Sequence, residues 1–333
     1  MSAPGRNPAL RRFDSVTDLI GSPENPTPIV RLGRTARDVK AAIYLKLECM
    51  NPFGSIKDRT ARALLEGLRR DGRLEGKELV EPTSGNTGLA LAALANVFGI
   101  KCTVTIPDQV PAESLTLLKL LGATVWPTPD DLCPIDHPKD GAIALAHSIA
   151  ADKNTGSRYV MPNQYENPDN VRAHYENTGP EIWAQTEGKV THFFAGYGTC
   201  GTITGAGKLL KDRNPAVKVV AIQPQKNHRQ PGLKNFSESK RPGILDLSVI
   251  DEEVTVPDDD AYAMAVRLAR EEGILAGPST GAILAGALDY FSKNDPGSDA
   301  LAVAVSPDSA LKYATFFADR VANDGAPPAV KES

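Results

Sequence analysis

The 333-residue sequence predicts an α/β fold of two domains, each a mostly parallel, twisted sheet flanked by helices. Three observations carry that prediction. Short runs rich in β-branched and apolar residues alternate with runs of helical length along most of the chain. Gly, Pro, Asp and Asn punctuate the joints between them. The length suits two domains of roughly 150 residues.

Taken in order, YLKLE (44–48) reads as a strand and 55–70 as a helix, with Arg, Leu and Ala at helical spacing and Asp71-Gly72 as its stop. KELVEP (77–82) is a strand, 89–99 an apolar helix ended by Gly99, KCTVTIP (101–107) a strand, 112–122 a helix and TVWP (124–127) a strand. The rhythm continues with helix 142–152, strand RYVMP (158–162), helix 169–185 and strand THFFAG (191–196). Helix 202–211, strand VKVVAIQP (217–224), helices 259–272 and 280–292 and strand ALAVAVSP (300–307) complete it. Such alternation favours parallel strands with helices on both faces, and ligands then bind at the carboxyl ends of the strands, here in a cleft between the domains. Periodicity lapses over 225–243, QKNHRQPGLKNFSESKRPG, which reads as a lid-like loop over the surface.

Composition removes several function classes. The formal net charge is -4 and aromatic residues are 6%, which disfavours a nucleic-acid partner. Cys49, Cys102, Cys133 and Cys200 form no CxxC pair, so neither a zinc site nor a disulfide framework is expected, and a reducing cytoplasm fits best. The histidines show no metal-binding i,i+4 spacing, and no metal is expected. The opening MSAPGRNPALRRF is basic without the apolar core of a signal peptide and reads as a disordered or strand-swapping arm. No apolar stretch approaches the roughly 20 residues of a membrane span.

Four segments carry chemistry. In NPFGSIKDR (51–59) a Gly-Ser turn opens a helix with Lys57 in its first turn. The positive end of the helix dipole disfavours a cation there and favours the neutral amine that Schiff-base formation requires, although a lone lysine is more often simply exposed. In PTSGNTG (82–88) the amides and hydroxyls of Thr83, Ser84 and Thr87 converge on a helix start, which suits a carboxylate or phosphate or plain capping. GYGTCGTITG (196–205) joins a strand to a helix through glycines that let a phosphate approach the backbone. It is no Walker A loop, because Lys208 is misplaced, so a P-loop nucleotide binder is excluded on spacing. In GPSTGAIL (277–284) Ser279 precedes a helix of small residues and, by itself, reads as a cap.

These four segments, in this order, resemble the cysteine synthase and cystathionine β-synthase family of pyridoxal-phosphate (PLP) enzymes, fold type II, over about residues 18–313. NQYENPDNVRAHYENTGPEIW (163–183) looks most like the cysteine synthase B branch. The resemblance implies a tryptophan synthase β-like architecture with the active site in the interdomain cleft. It implies an N-terminal arm (1–13), a larger PLP-binding domain (14–47 and 152–322), a smaller mobile substrate-binding domain (48–151) and a disordered tail (323–333). It also implies pyridoxal 5'-phosphate in Schiff-base linkage to Lys57, with Asn86 hydrogen-bonded to the ring 3′-oxygen. Gly198, Thr199, Cys200, Gly201 and Thr202 would cradle the phosphate and Ser279 would face the pyridine nitrogen. Thr83, Ser84, Gly85, Thr87 and Gln164 would hold the substrate carboxylate. A serine opposite the ring nitrogen weakens the electron sink, which suits β-elimination over transamination.

The implied activity is β-elimination from O-acetylserine or O-phosphoserine through an α-aminoacrylate, then addition of sulfide to give L-cysteine. The alternatives are cystathionine β-synthase or another β-replacement using thiosulfate, homocysteine or an amine, and a catalytically idle PLP-bearing scaffold. Expected partners are the amino-acid substrate, the sulfur nucleophile, a second copy in a homodimer and a serine acetyltransferase tail. Three departures from the family pattern stand out. Cys200 replaces a small residue, and reads as a space-filler more than as a redox thiol. SPDSALKY (306–313) has Ala310 and Leu311 where relatives often carry Gly-Glu. The basic stretch with Lys226, His228, Arg229 and Lys234 suits an anionic substrate such as phosphoserine or thiosulfate, with Arg229 as the expected contact.

Overall fold

A computed structural model of the chain describes residues 12–83, 85–108, 110–129, 141–154 and 156–321. The N-terminal arm up to residue 11, the tail from 322, Ser84 and Cys133 lie outside the described residues. The strands are, in chain order, β1 (Ile29–Arg31), β2 (Ala42–Leu47), β3 (Glu78–Pro82), β4 (Cys102–Pro107), β5 (Thr124–Thr128), β6 (Tyr159–Val160), β7 (His192–Gly196), β8 (Lys218–Pro224), β9 (Glu252–Val256) and β10 (Leu301–Ser306). The helices are α1 (Lys57–Arg70), α2 (Asn86–Phe98), α3 (Ala112–Leu120), α4 (Ala142–Ala151), α5 (Pro168–Ala173), α6 (Gly179–Gln185), α7 (Gly201–Arg213), α8 (Asp258–Glu272), α9 (Pro278–Lys293) and α10 (Ala314–Val321).

They build two sheets. One has the order β1-β2-β10-β7-β8-β9, parallel throughout except for the antiparallel edge strand β1. The other, β5-β4-β3-β6, is wholly parallel. In the larger sheet both faces are buried, which is why its strands read as continuous apolar runs. Phe193, Val219, Val303 and Val305 face Ile203 and Leu210 of α7, while their neighbours Phe194, Val220 and Ala304 face Ile283 and Leu284 of α9. The smaller sheet packs Leu79, Val104 and Ile106 against Leu89, Leu91 and Leu94 of α2 and Leu65 and Leu68 of α1.

The structure departs from the sequence reading at identifiable points. Strand 158–162 shrinks to β6, which pairs with β3 of the smaller sheet although residues 152–322 were expected in the larger domain. Helix 169–185 is interrupted by a π-helical turn at His174–Thr178. Pro180 cannot donate to the carbonyl one turn back, so regular hydrogen bonding lapses there. The segment 225–243 is irregular, as expected, but is not simply a surface loop. Gln230, Leu233 and Asn235 are buried, Asn235 Nδ2 donates to Pro224 O at 2.8 Å, and Lys234 N donates to Tyr197 O at 2.8 Å. Among the described residues no helix is long and apolar enough to cross a membrane.

Candidate active site

The carboxyl ends of β2, β3, β7 and β10 point their following turns at one another. After β2, residues 51–58 form a turn built on its own side chains. Asp58 Oδ2 accepts from Phe53 N at 2.6 Å, Ser55 Oγ accepts from Lys57 N at 3.2 Å, and Ile56 N donates to Pro307 O at 2.9 Å after β10. Gly54 sits at φ +80°, where a side chain would be strained. Lys57 is the first residue of α1. Its Nζ has no hydrogen-bond partner among the described residues, and burial lowers its pKa against the opposing pull of Asp308. A lowered pKa at a helix start shifts the amine toward the neutral form that Schiff-base formation requires.

Two residues on, Arg59 is the opposite case. Its guanidinium bonds Glu48 (Nε–Oε2 2.6 Å) and Glu181, and Lys46 Nζ reaches Glu181 Oε2 at 2.5 Å, all four side chains being inaccessible to solvent. Thr27 Oγ1 donates to Glu48 Oε1 at 2.7 Å. Burial alone would raise the Glu48 pKa, but Arg59 and then Lys46 hold it at about 2. This closed set of charges ties α1 to β2 and α6.

After β3, Thr83 Oγ1 accepts from Gly85 N (3.1 Å) and Gly88 N (3.0 Å), so this hydroxyl caps α2. Gly85 adopts φ +145°. Thr87 Oγ1 donates to Gln164 Oε1 at 2.6 Å, and Gln164 Nε2 donates to Pro82 O at 2.9 Å. The turn carrying Gln164 is held by buried Glu81, whose two oxygens accept from Asn163 N (2.7 Å) and Gln164 N (2.9 Å). Burial pushes the Glu81 carboxyl up to about 7. Asn86 Nδ2 donates to Asp308 Oδ2 at 2.6 Å, and its Oδ1 accepts from Lys312 Nζ at 2.8 Å.

After β7, the chain turns sharply into α7. Cys200 occupies the left-handed region at φ +69°, which explains why glycine suits the position, and burial pushes its thiol up to about 12. It is a protonated filler. A Cβ on Gly198 would lie 2.6 Å from Gly232 O, and one on Gly201 would collide with the Asn170 side chain. Asn170 Nδ2 donates to Thr199 Oγ1 at 3.0 Å, fixing that hydroxyl. His174 Nε2 lies 3.3 Å from both Thr60 Oγ1 and Thr202 Oγ1, and burial drives its pKa down to about 3, so the ring is neutral. Ser279 stands in the first turn of α9, its hydroxyl without a protein partner among the described residues.

One cavity gathers Lys57, Thr83, Asn86, Thr87, Gln164, Gly198, Thr199, Cys200, Thr202 and Ser279, with Asp308 and Tyr313. Gly85 and Gly201 are not among its lining residues; each adjoins one, Gly85 next to Asn86 and Gly201 between Cys200 and Thr202. Arg229 is exposed and lies elsewhere: its N donates to Asp258 Oδ2 at 2.8 Å and its O accepts from Tyr262 OH at 2.9 Å, which fasten it to α8. Lys234 takes the expected place instead, shared between this cavity and an adjoining hollow that Lys240 and Arg241 also line. Asn170, His174, Asp308 and Lys312 were not singled out by sequence reasoning. The one available signal was the four-residue spacing of polar Asn170, His174 and Thr178, all of them buried.

The cavity suits PLP on three counts. It offers the Lys57 amine, without a hydrogen-bond partner, for the aldehyde, the start of α7 with two threonine hydroxyls for a phosphate, and an unpaired serine hydroxyl for the ring nitrogen. Comparison with known proteins agrees. The family described as pyridoxal-phosphate dependent enzyme matches residues 20–308. The cysteine synthase of Aquifex aeolicus (strain VF5) is 36% identical over 94% of this chain and 95% of its own. A crystal structure of an O-ureido-L-serine synthase mutant with O-ureido-L-serine bound superposes with TM-score 0.84 at 34% identity, covering 95% of this chain and 96% of that one. A hydrogen sulfide-producing enzyme from Fusobacterium nucleatum gives TM-score 0.81 at 34% identity, covering 91% and 100%. The chain therefore belongs to the cysteine synthase family of pyridoxal-phosphate dependent enzymes and has their fold type II architecture.

Proposed function

We propose that the protein joins sulfide to the β-carbon of an O-activated serine, releasing acetate or phosphate and yielding L-cysteine. The observation that carries this reading is the amine of Lys57, at the start of α1 and free of any hydrogen-bond partner among the described residues, in a cavity whose other polar groups are mostly committed to one another. When bound, PLP supplies the electron sink that makes the α-proton of an amino acid removable.

The chain's own groups divide the remaining work. Lys57, its basicity lowered by burial, is the base that takes the proton from Cα and returns it. Thr87, pinned by Gln164, and the first amides of α2 hold the substrate carboxylate at a helix N-terminus. Gly198, Thr199, Cys200, Gly201 and Thr202 grip the cofactor phosphate, Ser279 faces the ring nitrogen and Asn86 the 3′-oxygen. The neutral His174 props Thr202 without adding charge beside the phosphate.

A second reading concerns the donor. Lys234, Lys240 and Arg241 make no ion pair among the described residues, and they outnumber Glu166 in the hollow at the cavity mouth. The excess of positive charge there favours a donor whose ester group is already anionic when bound, that is O-phosphoserine over O-acetylserine. Homodimer formation and binding of a serine acetyltransferase tail follow from the family resemblance and are read by light scattering and peptide titration.

A matrix of donors and nucleophiles, followed by the visible spectrum and by product, tests the reading. Cysteine formed from sulfide with one of the two donors is the expected result. Likeness to an O-ureido-L-serine synthase makes a non-sulfur nucleophile a necessary arm, and product only in that arm overturns the sulfide assignment.

A further inference from the structure

We infer that Lys312 is a positioning residue that fixes the orientation of the Asn86 side-chain amide and pins the turn leading into Lys57. The inference rests on the reading that Asn86 faces the cofactor ring.

Lys312 follows β10 of the larger sheet, yet its Nζ donates to Asn86 Oδ1 (2.8 Å) and to Phe53 O (2.9 Å). Asn86 opens α2, which belongs to the smaller sheet, and Phe53 lies in the turn that Asp58 organises. The other end of the amide, Nδ2, donates to Asp308 Oδ2 at 2.6 Å and lies 3.3 Å from Tyr313 OH, which itself donates to Asp308. An ammonium donates only and a carboxylate accepts only. Flipping the amide would set N–H against N–H and oxygen against carboxylate, so Lys312 and Asp308 together admit one orientation. Asn86 is then presented with its amide nitrogen toward Asp308 and Tyr313, both on the cavity wall.

The position of Lys312 is not that of an ordinary ion pair. No carboxylate lies within 4 Å of its Nζ among the described residues, and both of its acceptors are neutral oxygens. Asp308, Asp58 and Cys49 are the titratable groups that act on it, while burial pushes its pKa down. One half-buried ammonium thus connects three segments distant in sequence: the turn at 53, the start of α2 and the turn at 308–313. Nearby, Thr315 N and Oγ1 reach Glu113 Oε1 of α3 at 3.0 and 2.6 Å, a second link between the same chain segment and the smaller sheet.

The test is a double-mutant cycle on the holoprotein, reading pyridoxal phosphate affinity by equilibrium dialysis and the position of the visible absorption band. Lys312→Met is expected to weaken cofactor binding about tenfold and to move the band, and to add little once Asn86→Ala is present, because partners in one network are non-additive. Lys312→Arg, which keeps a donor-only cation, should restore most of the affinity. Equal losses in both backgrounds, or unchanged affinity and band in Lys312→Met, overturn the inference. Should Lys312→Met not fold, Lys312→Gln runs the same cycle with the same two outcomes. A wild-type protein that takes up no cofactor would defeat the functional reading itself, which is a different result from an additive cycle.

Discussion

Lys57 and Arg59 lie on the same turn of α1, both basic, Arg59 fully and Lys57 partly buried, and their surroundings are opposite. Arg59 is saturated: Glu48, Glu181 and Thr27 take its donors, and Lys46 shares Glu181. Lys57 has no hydrogen-bonding partner among the described residues and loses basicity to burial. The contrast separates two uses of a buried cation. With full compensation it becomes a rivet that keeps its charge; without compensation it becomes a reagent. The rivet holds α1 so that the reagent, two residues earlier, stays at the cavity.

The largest test of this contrast is Lys57→Ala. Activity should fall by about 10³-fold or more and the visible band of the reconstituted protein should vanish, while the thermal transition stays cooperative. Retention of the band would show that another amine holds the cofactor. Next, Arg59→Met should leave Glu48 and Glu181 buried with too little positive charge and cost on the order of 3–5 kcal/mol, read by chemical denaturation. If stability is unchanged, the network is not a rivet.

The two carboxylates that serve these regions respond to pH with opposite sign. Glu48 is depressed from 4.5 to about 2, so its contribution is complete above 4.5 and is lost as pH falls through about 2. Glu81 is raised from 4.5 to about 7, so its contribution is complete below 4.5 and is lost as pH rises through about 7. Glu81→Gln removes that loss. The Tm of wild type relative to the variant should therefore decline from pH 5 to 8, and a constant difference would remove Glu81 from the account. The smallest effect belongs to Cys200. Its thiol should resist alkylation in the native protein at pH 8, and Cys200→Gly should change stability by no more than about 1 kcal/mol, since relief at φ +69° offsets lost packing.

Local pattern made much of this molecule readable. The central strands of both sheets announce themselves as apolar runs because both of their faces are covered, and glycine-bearing turns mark where strands end at the cavity. The edge strands β1 and β9 escaped because they are short and carry exposed charges, as in EEVTV. The interruption at 174–178 could have been suspected from Gly179-Pro180, which a single continuous helix does not tolerate well. The roles of Asp308, Lys312 and Asn170 could not be read, although 306–313 stood out as a segment and Asn170 shares a helical spacing with His174. Their meaning depends on partners brought from far along the chain, such as Asn86 for Lys312 and Thr199 for Asn170, and no local spacing encodes that. The basic stretch was visible, but only the fold decides that Lys234 lines the cavity while the Arg229 backbone is fastened to Asp258 and Tyr262.

The place of β10 has a consequence for biosynthesis. Among the described residues it is the last strand in the sequence, and yet it lies between β2 and β7, paired with both. On the ribosome, the edges of β2 and β7 that β10 will join therefore wait with unmet amides and carbonyls until residues 301–306 have emerged. The smaller sheet draws only on residues 78–160 and can assemble earlier. A nascent protein stalled before residue 301 has two open strand edges that invite aggregation.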